Sequence, residues 1–216
     1  MTTYEHDRLD RLVLTRLPPV GTGLGGGGPP AQYTTSATYD LVGNRLTFTD
    51  ERGHTTTTVY DPHDRPVLQI DPAPLGYETR TVYDAQGNVV AQIDRRGIEQ
   101  RFSFDHNNRR TAQSRAGLIL ERLEYDEAGN VEFRTDARGH VTSYQYDQRN
   151  LLVAENRPLA AITQYRRDAM GDVVYERDPE GRETTRGYDL RRRMVRETNG
   201  AGETTTYAFD LNGNLS

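Results

Sequence analysis

The sequence predicts an all-β chain of tandem antiparallel β-hairpins laid side by side into a long curled sheet. Three observations predict it. A Tyr-Asp pair recurs at a fixed interval, a turn-forming residue follows each pair at a fixed distance, and the segments between turns are rich in Thr, Val and Tyr. Those residue types suit pleated strands and hairpin turns. Only 34% of the 216 residues are apolar and 27% are charged, too little apolar surface for a solid globular core. The strands are therefore expected to bury only a modest area each.

Self-similarity sets the order of the elements. The pairs are Tyr39-Asp40, Tyr60-Asp61, Tyr83-Asp84, Phe104-Asp105, Tyr125-Asp126, Tyr146-Asp147, Tyr188-Asp189 and Phe209-Asp210; Arg167-Asp168 keeps the Asp and loses the aromatic residue. Successive Asp residues lie 21, 23, 21, 21, 21, 21, 21 and 21 apart. The single 23-residue step contains Pro72-Ala73-Pro74-Leu75-Gly76, two residues longer than its counterparts. Three residues after each Asp stand Gly43, Asp64, Gly87, Asn108, Gly129, Asn150, Gly171, Arg192 and Gly213. Gly, Asn and Asp tolerate positive φ, so Arg192 reads as the one break in the series.

Apolar residues resume five positions after the Asp, as at Val89, Val131, Leu152, Val173, Met194 and Leu215. A second turn of D-x-x-G form follows about ten positions after the Asp, at Asp50–Gly53, Asp94–Gly97, Asp136–Gly139 and Asp178–Gly181, with Asn199 and Gly202 in the same slots. One repeat is thus strand, turn, strand, turn. Alternation puts each Tyr on the same face as the residue two before it, which is Phe102, Leu123, Tyr144 or Tyr207 in four copies. Residues 1–17 read as a degenerate first repeat, with Tyr4-Glu5-His6-Asp7 standing for the Tyr-x-Tyr-Asp strand end. Residues 18–33 read as a Gly/Pro-rich loop or linker. Residues 34–216 read as tandem repeats that stop midway through a hairpin at Asn214-Leu215-Ser216, so the chain reads as a piece of a longer array.

Several chemistries are excluded or disfavoured. There is no Cys, hence no disulfide, thiolate site or Cys nucleophile. The net charge of -5 is spread over interleaved acids and bases, unlike the clustered basic excess of a nucleic-acid surface. No stretch approaches the roughly 20 apolar residues of a membrane helix, and residues 1–20 contain no signal-peptide run. The recurring Asp50, Asp71, Asp94, Asp136 and Asp178 could suggest a calcium ladder, but the short Gly-rich calcium repeats are missing, and Asx-type turns explain them. A uniform row of carboxylates lacks the unequal environments that a catalytic pair needs. His54 and His140 occupy equivalent repeat positions rather than a ligand spacing. Gly25–Gly28 lacks the Lys and helix of a phosphate loop, and Arg191–Arg193 reads as a solvated turn. No catalytic, metal or cofactor residue is assigned. The residues singled out are the structural repeat motif itself, namely the Tyr-Asp pairs and the Gly three after them.

With nine registered copies of the Tyr-Asp position (six Tyr-Asp, two Phe-Asp and Arg167-Asp168), the turn former three later and the D-x-x-G turn about ten on, the sequence resembles the RHS/YD-repeat family over nearly all its length except residues 18–30. The resemblance implies a long β-sheet that spirals into a hollow shell, as in bacterial polymorphic RHS toxins and Tc-toxin-like cocoon proteins. It implies a structural, non-enzymatic segment that encloses and helps deliver a C-terminal toxin domain in interbacterial competition or host intoxication. Its partners would be the remainder of the parent shell, the enclosed toxin domain, and a secretion-system spike or adaptor, with no nucleic acid and no membrane span. It would be secreted or delivered by a bacterial system such as type VI secretion. Asp178-Pro179-Glu180-Gly181 is followed by Arg182 and sits in an ordinary repeat turn, unlike the family's autocleavage element. The alternatives are an extracellular carbohydrate- or protein-binding repeat surface and a truncated gene remnant. Independently of the resemblance, about twenty strands at ~4.8 Å spacing would span on the order of 95 Å, and sheets beyond ~10 strands curl.

Overall fold

The structure, a computed structural model, describes residues 1–18 and 33–215; the Gly/Pro-rich segment expected to be a loop lies almost entirely outside the described residues. The chain is all-β. It divides into two compact units, residues 1–108 with 115–117, and residues 109–114 with 118 onward.

The first unit holds β1 (Thr3–His6), β2 (Leu12–Arg16), β3 (Thr34–Tyr39), β4 (Arg45–Thr49), β5 (Thr55–Tyr60), β6 (Pro66–Ile70), β7 (Glu78–Tyr83), β8 (Val89–Ile93) and β9 (Glu99–Phe104). Each is antiparallel to the next. The second holds β10 (Arg110–Arg115) except for its last residue, β11 (Leu118–Tyr125), β12 (Val131–Asp136), β13 (Val141–Tyr146), β14 (Leu152–Arg157), β15 (Ala161–Arg167), β16 (Val173–Arg177), β17 (Glu183–Tyr188), β18 (Met194–Thr198) and β19 (Thr204–Thr206). From β11 to β19 the same antiparallel order holds. Neighbours in sequence are neighbours in space because each connection is only a few residues long, which is the simplest way to pair strands.

Both edges of the sheet use one turn. In the Tyr-Asp hairpins the Asp N–H donates to the carbonyl four residues on, and the residue at +3 donates back to the Asp carbonyl, as with Asp84 N to Asn88 O at 3.0 Å and Gly87 N to Asp84 O at 3.2 Å. The D-x-x-G hairpins repeat this, as with Asp50 N to His54 O and Gly53 N to Asp50 O, both 2.9 Å. This is the three-residue loop whose last residue takes a left-handed conformation. Asp64, Asn108, Asn150 and Arg192 adopt it at φ 60°, 60°, 59° and 62°. Arg192, which the sequence marks as a break, is no break in the backbone. The 71–77 turn accommodates its two extra residues by closing from Asp71 N to Tyr77 O at 2.8 Å. The edge also departs from D-x-x-G at Ala116-Gly117, a tight two-residue turn with φ 49° and 80°, and at Pro158–Ala160, a short 3-10 turn.

At the Tyr-Asp end the register shifts by one, between Thr38 and Tyr39, Val82 and Tyr83, Gln145 and Tyr146, and at the equivalent place in other copies. Such a bulge bends the strand and re-aims a side chain. Burial is shallow throughout. Among the described residues the buried ones are Ala37, Ala91, Ala154 and Thr163, and no large side chain is fully buried. What crosses the strands is largely polar: Arg186 bridges Glu176 at 2.9 Å and Glu197 at 3.0 Å, and Thr38 and Thr47 share a hydroxyl bond at 2.6 Å. Among the described residues no helix is long and apolar enough to cross a membrane.

Candidate functional site: the Tyr-Asp edge

Each Tyr-Asp aspartate organises its own turn. Its Oδ1 accepts backbone N–H groups two and four residues on: from Gln86 and Asn88 at Asp84 (3.0 and 2.8 Å), from Arg149 and Leu151 at Asp147 (2.8 and 3.0 Å), and from Met170 and Asp172 at Asp168 (both 2.9 Å). Asp189 accepts from Arg191 and Arg193, Asp210 from Asn214, and Asp105 from Asn107. At Asp40 the N–H of Gly43 joins those of Val42 and Asn44. The second oxygen takes the side chain at +4: Asn88 at Asp84 and Asn130 at Asp126, both 2.9 Å, and Arg65 at Asp61, 2.8 Å.

Hydrogen bonds to the ionised form favour it, and the carboxyls respond. The Arg65 side chain, with the N–H groups of Arg65 and His63, holds Asp61 down at about 2. The Asn88 amide lowers Asp84, the Asn130 amide lowers Asp126, and the Leu151 and Arg193 backbone N–H groups lower Asp147 and Asp189. These are saturated acceptors in nearly identical surroundings.

The aromatic partner has a different task. The Tyr hydroxyl donates to a carbonyl of the preceding hairpin, at the residue where the bulge interrupts the ladder. The bonds are Tyr39 to Leu12 O (3.1 Å), Tyr60 to Arg45 O (3.3 Å), Tyr83 to Pro66 O (3.2 Å), Tyr125 to Arg110 O (2.7 Å), Tyr146 to Val131 O (3.0 Å) and Tyr188 to Val173 O (3.1 Å). Burial raises the Tyr146 phenol above its ordinary value. In the copy without an aromatic residue, Arg167 Nε makes the same bond, to Leu152 O at 3.0 Å, and its Nη1 reaches Gly171 O at 3.0 Å. The sequence marks Arg167 as a lost aromatic residue; the structure shows a donor of similar reach in its place. The signal was present, since Arg is the long side chain that carries N–H donors on an apolar stem.

The glycines of the motif have one role. Gly43, Gly87, Gly129, Gly171 and Gly213 all take positive φ, between 90° and 109°. On the opposite edge His54 and His140 lie beside their own turn carboxylates, with Nδ1 3.4 Å from Asp50 and 3.2 Å from Asp136. Each pairs locally instead of joining the other. Among the described residues no group of three or more His, Asp or Glu is arranged to hold a metal ion.

The repeat geometry has relatives. The RHS repeat family model matches residues 83–118 and 125–162. No curated protein matches the chain. Among solved structures, a chain of the TcdB2-TccC3-TEV crystal structure superposes with a TM-score of 0.68 at 14% identity, over 99% of this chain and 13% of that one. A chain of TcdB2-TccC3-Cdc42 gives 0.66 at 15% identity, over 100% and 15%. A chain of the Photorhabdus luminescens Tc holotoxin pore gives 0.55 at 14% identity, over 100% and 18%. The chain therefore spans less than a fifth of each, and at these identities the likeness is one of fold.

Proposed function

We infer that this run of RHS repeats is a wall segment, a structural and non-enzymatic stretch of a shell that encloses a toxin domain and helps deliver it. One observation carries the reading. In seven of the nine copies a side chain fastens the previous hairpin, the Tyr hydroxyl in six and Arg167 in one, while the Asp closes its own turn; Phe104 and Phe209 have no hydroxyl for this bond. A sheet stitched in this way, with no large buried side chain among its described residues, gains little by forming a globule and is suited to be a surface. The parent shell and its cargo are the partners on this reading, and a bacterial secretion or injection route, with a spike or adaptor, is the means of export.

The experiment is protease protection in the longer protein that encodes these repeats. A tag on the enclosed domain is expected to resist a non-specific protease while the repeats are intact and to be digested once the wall is opened by acid or denaturant. A tag cut at the same rate with and without the repeats would end the proposal.

A further inference from the structure

Counted from each Tyr-Asp aspartate, positions +3 and +4 read Asp10-Arg11, Gly43-Asn44, Asp64-Arg65, Gly87-Asn88, Asn108-Arg109, Gly129-Asn130, Asn150-Leu151, Gly171-Asp172, Arg192-Arg193 and Gly213-Asn214. Glycine at +3 alternates with a larger residue without exception, so the pattern recurs only every second hairpin. The need for positive φ does not by itself explain this, although the glycines sit at 90–109° and the larger residues at 59–62°. All these +3 residues have positive φ, and glycine would meet that need everywhere at less strain. Contacts between hairpins favour a side chain at alternate +3 positions and leave less room for one at Gly87, Gly129 and Gly213, though not at Gly43.

Both effects come from specific side chains. After a Gly-Asn hairpin, the Asn amide reaches across to the +3 side chain of the next: Asn44 Nδ2 to Asp64 Oδ1 at 2.8 Å, Asn88 Nδ2 to Asn108 Oδ1 at 2.9 Å, and Asn130 Nδ2 to Asn150 Oδ1 at 3.1 Å. With glycine there, the amide would keep its bond to its own turn's aspartate and lose its acceptor on the next hairpin. After an Arg hairpin, the guanidinium crosses to the next hairpin and stacks on its ring, 4.5 Å over Tyr83 for Arg65, 4.4 Å over Tyr125 for Arg109 and 4.5 Å over Phe209 for Arg193. In crossing it passes the next +3 glycine. A Cβ on Gly87, Gly129 or Gly213 would stand 3.8, 3.5 or 3.8 Å from that guanidinium, so a methyl group fits and a longer side chain would fill the path.

The exceptions obey the same logic. At one joint the donor and acceptor are exchanged: Asp172 at +4 accepts from Arg192 at +3 of the next hairpin, Nη2 to Oδ1 at 2.6 Å and Nε to Oδ2 at 3.0 Å. Two departures 20 residues apart complement each other. Where Leu151 replaces the Arg at +4, Arg149 supplies the guanidinium. It bonds Asp147 Oδ2 at 3.1 Å and the carbonyls of Asp168 and Ala169 at 3.0 Å.

We propose that positions +3 and +4 form a recognition surface through which each hairpin selects the class of hairpin that can lie beside it. An amide-bearing Gly-Asn hairpin takes a neighbour with a side-chain acceptor at +3, and an Arg-bearing hairpin takes a neighbour with glycine there. Skipping one hairpin would leave the strand pairing otherwise intact and bring two hairpins of the same class together at that joint, so the code favours the native order where ladder hydrogen bonds alone do not. By the same rule the Gly213-Asn214 hairpin fits a partner hairpin carrying Asp or Asn at +3. The proposal does not depend on the shell reading.

Reciprocal exchange in the full chain tests it. Asp172→Asn with Arg192→Asp converts the exchanged joint to the common kind, and Asn44→Asp with Asp64→Arg does the reverse. Each single variant is expected to lower Tm by roughly 2–4 °C, and each double variant to recover at least half of the summed loss. Any gain from placing Asp instead of Arg at a positive-φ site is present in the single variant and cancels in the cycle. Doubles that lose the sum of their singles at both joints would overturn the code, as would singles that change nothing.

Discussion

At the residue scale, the Tyr-Asp aspartates tie stability to pH, and the sign follows from their depressed titrations. A carboxyl that titrates lower folded than unfolded contributes stability that is complete above its unfolded value and is lost as pH falls through the folded one. Asp61 moves from 3.8 to about 2, and Asp84, Asp126, Asp147 and Asp189 shift the same way. Thermal melts followed by circular dichroism should therefore hold a flat Tm from pH 8 to about 5 and fall between about pH 4 and 2. A Tm that drops between pH 7 and 6 would instead implicate histidines. The tyrosines make a second prediction. Removing the hydroxyl in Tyr146→Phe leaves the Val131 carbonyl without its 3.0 Å donor and should cost about 0.5–1.5 kcal/mol in a urea titration. At the odd copy, Arg167→Tyr should be tolerated while Arg167→Ala loses a similar amount, since what the site needs is a donor to Leu152 O. The spacing of Tyr and Asp was legible in the sequence; the direction of the hydroxyl was not, because it depends on a bulge that shifts register by one residue and leaves no mark in composition.

At the element scale, the hairpins show which turn residues answer to conformation and which to space. Gly53 has φ 80° and would meet nothing within 4 Å if it carried a Cβ. Gly200 is different: a Cβ there would stand 2.7 Å from the Arg182 Cβ and 3.3 Å from the Arg182 Cα and the Glu183 backbone nitrogen. Gly53→Ala should cost about 1–2 kcal/mol through left-handed strain, and Gly53→Asn should recover most of it because Asn tolerates that region. Gly200→Ala should cost about 1–3 kcal/mol through overpacking, and Gly200→Asn should be worse still. Equal rescue by Asn at both positions, read from chemical denaturation, would refute the distinction. The D-x-x-G turns could be found from sequence because Asp and Gly perform their tasks locally, the Asp50 carboxylate accepting from Arg52 and His54 at 2.9 Å. The corners at Ala116-Gly117 and Pro158–Ala160 carry no such signature, and the approach of the 199–202 turn to Arg182 joins residues that only the folded sheet brings together.

At the scale of the whole molecule, the absence of large buried side chains among the described residues has a calorimetric consequence. The heat capacity of unfolding comes mainly from apolar surface newly exposed to water, about 12–15 cal/mol/K per residue for ordinary globular domains. Here the buried positions are Ala37, Ala91, Ala154 and Thr163, and much of what else crosses the strands is hydroxyl, amide and ion pair. Scanning calorimetry should give a heat capacity increment per residue clearly below that range. Cooperativity should also be weak. Within each unit a hairpin packs on its sequence neighbours, so the free energy is close to a sum of repeat and nearest-neighbour contributions, as in other repeat proteins. Unfolding should then be broad, with a van't Hoff enthalpy well under the calorimetric one. Amide exchange should be fastest at exposed strands such as β1 and β19 and slow progressively inward within each unit. The exposed strands also invite pairing with other copies, so concentrated preparations should self-associate. A monomer that melts sharply, with equal enthalpies by the two routes and an ordinary heat capacity, would require an apolar core, and the wall built from stitched hairpins would be the wrong description of the chain.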